Sequence, residues 1–208
     1  MVKVVVVHNY YQQAGGEDRV LAAEVALLKA HGHDVVLYTV NNDNLTSLWQ
    51  KVSVAFATFF SWRHYRRFQQ FLRQHQPAIV HVHNYFPQLS PAIFYAAKRM
   101  QIPVVHTLHN YRAICPSATL FDGKAVNLTS IHQGPFWAVP YRLYRQSWLG
   151  TWVLAGAIAL HQRLGTWRRC VDRYIALSPS QRDLYIQAGW PADAVMLKGH
   201  FVAEATAT

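Results

Sequence analysis

Apolar and polar positions alternate along this chain in short blocks of two kinds. Val2–Val7 is a run of valines interrupted by Lys3 alone and reads as a buried first strand. Gly15-Gly16 then opens a helix in which Val20, Leu21, Val25 and Leu28 recur at helical spacing. Glu17 and Asp18 fall in its first turn, where the helix dipole favours them, and Gly32 ends it. Val35–Val40 predicts a second strand, Ser61–His75 a helix stopped by Pro77, and Ala78–His83 a third strand. Pro91–Met100 reads as a helix and Pro103–Leu108 as a fourth strand. A loop rich in turn residues follows over Asn110–Pro140, then a helical region over Tyr141–Arg169 with a break near Gly165. Tyr174–Leu177 is a fifth strand, Ser178 caps a helix that starts at Pro179 and ends at Gly189, and Ala194–Leu197 is a sixth strand.

Strands separated by helices predict an α/β fold, a parallel sheet flanked by helices with right-handed crossovers. No linker divides the pattern, so residues 1–202 are expected to form one domain, with 203–208 as a tail. A 208-residue chain that is 51% hydrophobic can bury a core of its own. Its longest uncharged apolar stretch, Gln146–Leu160, is shorter than the ~18–20 residues a membrane span needs. The Trp148–Leu160 part of it reads as core. Two cysteines, Cys115 and Cys170, make no disulfide framework and are expected as free thiols in a reducing, cytoplasmic setting.

Charge changes this picture more than composition does. Between Asp43 and Asp172 the one acidic residue is Asp122, against fourteen Lys and Arg. A basic field of this kind attracts phosphate, anionic lipid or nucleic acid. On the Ser61–His75 helix, Arg63, Arg66, Arg67 and Arg73 fall within a sector of about 120°, with Tyr65, Phe68 and Leu72 opposite. A basic amphipathic helix can lie on an anionic bilayer, so these four arginines are candidate membrane-facing residues. Nucleic acid is not expected as a partner, because no recognition-helix or RNA-platform signature accompanies the charge.

One tripeptide occurs three times: His8-Asn9-Tyr10, His83-Asn84-Tyr85 and His109-Asn110-Tyr111. Each sits at the carboxyl end of an expected strand. In an open parallel sheet those ends share one edge, where ligands bind. With a strand order beginning 2-1-3-4, the three would line one cleft. Gly15-Gly16, at a helix start, could face a phosphate without Cβ interference. No Gly-x-Gly-x-x-Gly follows the first strand, and Asn41-Asn42, not an acidic residue, ends the second, which disfavours a nicotinamide enzyme. The scarcity of carboxylates disfavours a glycosidase, and no Gly-x-Ser-x-Gly elbow occurs. No metal site is expected: Cys-x-x-Cys is absent, and His81 and His83 are read as facing opposite sides of their strand.

The ordered motifs together resemble the amino-terminal half of a GT-B glycosyltransferase of family 4. They are His8-Asn9-Tyr10-Tyr11-Gln12 with Gly15-Gly16-Glu17-Asp18, Gly32-His33-Asp34-Val35, and Pro77-Ala78-Ile79-Val80-His81-Val82-His83-Asn84. Then come Pro103–Arg112, Cys115-Pro116, Leu164-Gly165-Thr166-Trp167 and Val171–Ser178. The resemblance implies a Rossmann-like, acceptor-binding domain, one half of a GT-B fold. Its activity would be transfer of a sugar from a nucleotide-sugar to a glycan or lipid-linked acceptor, with retention and with no cofactor beyond the nucleotide-sugar co-substrate. It also implies that Gly15 and Gly16 approach the donor phosphates and that His109 lies at the reacting sugar. His8, His83, Asn84, Tyr85, Asn110, Tyr111 and Arg112 would line the acceptor side. Family members are about twice this length, so a donor domain in cis or in trans is an implied partner, and independent catalysis is not expected of this half alone. The alternatives are a non-catalytic binding module or split-enzyme subunit for an anionic ligand or membrane and, less favoured, a nucleic-acid-binding protein.

Overall fold

The computed structural model describes residues 1–11, 15–41 and 57–201. Its first half runs β1 (Lys3–Tyr10), α1 (Gly16–Ala30), β2 (Asp34–Asn41), α2 (Trp62–His75), β3 (Ile79–Val82), α3 (Ala92–Arg99) and β4 (Val104–Leu108). Two short pieces follow, α4 (Thr129–Gln133) and a 3₁₀ turn at Pro135–Ala138. Then come α5 (Trp148–Arg163), α6 (Thr166–Cys170), β5 (Arg173–Ala176), α7 (Pro179–Gln187) and β6 (Val195–Leu197). The six strands form one parallel sheet in the order β2-β1-β3-β4-β5-β6. The α/β class and the strand order needed to bring the three tripeptides together are both found. The tail at 203–208 lies outside the described residues.

The sheet separates two unequal layers. Successive residues on a strand face opposite sides. Val5, Val7, Val80, Val82, Val104 and Leu108 therefore face one layer, where Phe68 and Leu72 of α2, Ile93 and Phe94 of α3, Leu154 and Ile158 of α5 and Trp167 of α6 join them in the main core. Val4 and Val6 face the other layer and pack under Leu21 of α1, with Val25, Leu28, Val35 and Ile79 completing a small cluster.

Three expectations need correction. The helical region expected from Tyr141 begins at Trp148 instead: Arg142, Arg145 and Gln146 have left-handed backbones, and Ser147 caps α5 by accepting from Gly150 N–H at 3.0 Å. The break at Gly165 is present, with φ +63°. The long loop contains α4 and the 3₁₀ turn. The Trp148–Leu160 stretch is core on one side only. Leu154, Ala155, Ala157 and Ile158 are buried, whereas Trp148 and Trp152 remain 54% and 48% exposed. Helix α2 presents its two faces as the wheel requires: Phe68 and Leu72 are buried, and Arg63, Arg66, Arg67 and Arg73 are exposed. Both cysteines are free and buried. Among the described residues, no helix is long and apolar enough to cross a membrane.

Candidate functional site

The three tripeptides meet at the carboxyl edge of β1, β3 and β4. Asn9 N–H donates to the Asn84 carbonyl at 3.0 Å, and Asn84 Nδ2 donates back to the Asn9 carbonyl at 2.9 Å. The imidazoles of His8 and His83 lie 6.4 Å apart in edge-on contact. His83 and His109 are stacked, with Nδ1 of one 3.0 Å from Nε2 of the other.

His81 and His83 share a face. Residues two apart on a strand point the same way, so reading them as opposed was an error of alternation, and their ring centroids are 4.3 Å apart. Both turn toward α1, where Glu24 is buried between them. Its Oε2 is 3.1 Å from His83 Nε2 and 3.9 Å from His81 Nδ1, and its Oε1 receives the Lys198 ammonium. The His83 contact is close but is not a well-aligned hydrogen bond. Burial by itself would raise the Glu24 pKa. The neighbouring imidazoles and the Lys198 ammonium outweigh it and hold the carboxyl at about 2. Burial, reinforced by the crowd of imidazoles, pushes His81 and His109 down to about 3, so both rings are neutral at physiological pH.

These contacts define a chain from Glu24 through His83 to His109. A proton on His83 Nε2 is the arrangement that avoids setting a lone pair against the carboxylate. His83 Nδ1 then accepts from His109 Nε2–H, and His109 Nδ1 is left as an acceptor. His81 is anchored separately, its Nε2 2.8 Å from the Thr107 hydroxyl. The ring of His200, just past β6, stacks over His109 at 5.9 Å.

The amino end of α1 joins the same edge. Asp18 bonds His8 Nε2 at 2.8 Å through one oxygen and accepts Gly15 N–H at 2.9 Å through the other. Glu17 accepts from Asn84 Nδ2 at 3.2 Å, and burial with Asp18 nearby raises its pKa to about 7. A Cβ on Gly16 would meet nothing within 4 Å, so the helix start is sterically open. The other candidate residues have structural commitments. Asn84 Oδ1 accepts from Phe86 N–H, and the Tyr85 ring turns into the main core against Phe94, His106 and Trp167. Asn110 Oδ1 accepts from Arg112 N–H, and Tyr111 stacks on Tyr185. His83, Asn84, His109, Asn110 and Arg112 line one recess at this edge, and Tyr85 and His106 of the apolar face reach its floor with Phe86 and Leu108.

Among the described residues, two groups have donor atoms close enough for a metal ion, Glu24 with His81 and His83, and His8 with Glu17 and Asp18. In the first, Lys198 already supplies the cation. In the second, Asp18 is taken up by His8 and Gly15.

Sequence reasoning missed Glu24 and Lys198. Glu24 had a signal: it falls three residues after Leu21 and four before Leu28, a carboxylate inside the apolar stripe of α1. Lys198 had none, since it is brought near by the path of the chain after β6.

Comparison with known proteins now carries weight. A family model described as Glycosyltransferase Family 4 matches residues 14–197. No curated protein matches. Among solved structures, the apo lipopolysaccharide outer core galactosyltransferase WaaB superposes with a TM-score of 0.54 at 13% identity, over 98% of this chain and 47% of that one. MurG of Acinetobacter baumannii gives 0.47 at 13%, over 98% and 47%. UDP-N-acetylglucosamine 2-epimerase from Rickettsia bellii gives 0.48 at 14%, over 96% and 45%. The chain thus spans about half the length of these proteins, and the likeness to WaaB shows a fold, the Rossmann-like half of a GT-B architecture. The family match runs from the start of α1 to the end of β6, most of the chain, and includes the second and third tripeptides: the chain belongs to glycosyltransferase family 4.

Proposed function

We propose that this domain is the acceptor-binding half of a glycosyltransferase that moves a sugar, with retention, from a nucleotide-sugar to a glycan or lipid-linked acceptor. The observation that supports it most is the Glu24–His83–His109 chain, whose neighbours His8 and Asn84 bond to Asp18 and Glu17 in the first turn of α1. A helix start suits the donor diphosphate, where backbone N–H groups and the dipole favour negative charge. His109, neutral and with Nδ1 free to accept, suits the acceptor hydroxyl. In the transfer, the bond from the anomeric carbon to the leaving phosphate oxygen breaks and a bond to the acceptor oxygen forms. The acceptor proton passes to the leaving phosphate. Holding the hydroxyl on the face of the sugar from which the phosphate departs, through His109, lowers the barrier by orientation.

A donor domain, joined in cis or supplied in trans, completes this reading, and the exposed arginines of α2 would set the acceptor side against an anionic membrane surface from the cytoplasm. The test is turnover. The 208-residue chain alone should not consume a nucleotide-sugar, and the chain completed by a donor domain should. Substantial transfer by the isolated chain, or none by the completed enzyme with any acceptor tried, contradicts the proposal.

A further inference from the structure

Arg112 is a cation sunk into the domain with no anion paired to it among the described residues. Its Nη1 donates to the Pro116 carbonyl, and its guanidinium carbon stands 4.8 Å from the Phe86 ring centroid and 5.4 Å from that of Tyr144. Its Nε is buried and has no hydrogen-bond partner. The ion pairs among the described residues do not include it, and the groups that act on it most are the Tyr11, Tyr144 and Tyr85 hydroxyls and the Cys115 thiol. Burial lowers its pKa, yet a guanidinium stays protonated in a protein. A buried charge without a counter-charge is costly, and contact with two neighbouring rings offsets only part of that cost.

Its position gives the cost a use. Arg112 borders the recess it shares with His83, Asn84, His109 and Asn110, in which Phe86, Leu108 and Ala113 form an apolar wall. With Tyr85 and Phe86 it also borders a second, more apolar recess walled by Pro91, Leu154, Ile158 and Trp167. The guanidinium therefore stands at the join of two small recesses, one of mixed lining and one mainly apolar. The Asn110 cap on its backbone, the bond to the Pro116 carbonyl and the Phe86 and Tyr144 rings beside it hold the side chain in place. A fixed fork of N–H donors matches the oxygens of a phosphate or carboxylate.

We infer that Arg112 is the anchor for an anionic group, a phosphate or carboxylate, carried by the acceptor close to the hydroxyl that receives the sugar. The inference rests on the acceptor-binding reading above. It narrows the acceptor class to anionic molecules and excludes neutral glycans.

Its test needs no turnover, so it can fail or succeed apart from the transferase reading. The Arg112 Nε–H resonance of the 208-residue protein is followed by ¹⁵N NMR during titration with inorganic phosphate and with acetate at constant ionic strength, using chloride as control. Saturable shifts at Arg112 with phosphate or acetate and none with chloride are expected, and the tighter anion identifies the group. In the variants binding is followed by the backbone N–H resonances of Asn110 and Ala113, which line the same recess, and Arg112→Gln should weaken it at least about tenfold. Arg112→Lys keeps the charge but loses the fork, and should weaken it severalfold while keeping the fold intact. A titration with uridine diphosphate and with a short alkyl phosphate separates the two sources of phosphate. Displacement by the alkyl phosphate supports the inference. Displacement by uridine diphosphate alone would assign Arg112 to the donor and overturn it. So would no saturable shift with either anion, or equal binding by Arg112→Lys, Arg112→Gln and the parent protein.

Discussion

The two faces of this one sheet carry opposite kinds of residue. On the side of α2, α3, α5 and α6, the strands present valines and Leu108 to aromatic and aliphatic partners. On the side of α1, the apolar cluster is small, and the same strands present His8, His81, His83, Thr107 and His109 toward Glu24 and Asp18. Alternation on a strand allows this division, because each residue step switches faces. A strand such as β3 can therefore hold the core together with Val80 and Val82 while placing His81 and His83 for chemistry. His106 is the exception that sharpens the comparison. It is an imidazole on the apolar face, packed among Tyr85, Phe94 and Tyr174, and burial pushes it to about 3.

The sharpest way to break the comparison is at Glu24, where the account places a positioning role on the α1 face. In the enzyme completed by a donor domain, Glu24→Gln should lower kcat about tenfold or more while leaving KM for the nucleotide-sugar unchanged, the scale seen when a partner that orients a functional imidazole is lost. An unaltered kcat would show that the chain through His83 to His109 is mere packing.

A smaller effect comes with pH. His81, His106 and His109 sit near 3 when folded, against an ordinary value of 6.5. Below 6.5 the unfolded chain takes up protons that these folded rings refuse, so their contribution is complete above 6.5 and is lost as pH falls toward 3. Glu17, raised to about 7 in the fold, acts in the opposite direction and offsets part of the change. Thermal melting should fall between pH 7.5 and 5.5, and His106→Gln should flatten the slope with no loss of activity per folded molecule. A melting temperature that is flat over this range would mean that the buried imidazoles are not held neutral.

The smallest effect concerns the outer surface of the apolar layer. Association with anionic vesicles through Arg63, Arg66, Arg67 and Arg73 should weaken with salt, since exposed charges are screened over ~8 Å at physiological ionic strength. Equal binding to neutral vesicles would remove the membrane from the account.

Much of this organisation was legible in the sequence. Valine runs, glycine stops and proline boundaries located all six strands, because these are local signals. The repeated tripeptide marked three strand ends that do meet at one edge, because strand ends of a parallel sheet share one side. What was missed depended on non-local contact or on a rule misapplied. Lys198 reaches Glu24 across 174 positions, which no local pattern encodes. The start of α5 was misjudged because Arg142, Arg145 and Gln146 adopt left-handed backbones that their side chains do not announce. The pairing of His81 with His83 was readable from alternation and was read wrongly.

The central claim is that the imidazoles on the two faces have different work. His109→Ala and His106→Ala, made in the completed enzyme, test it when kcat and melting temperature are measured on the same preparations. The account predicts that His109→Ala lowers kcat by ~10²–10³, the scale of losing a hydrogen bond that acts in the transition state, with little change in melting temperature. His106→Ala should lower the melting temperature and leave activity per folded molecule intact. Activity that follows the folded fraction equally in both variants would contradict it.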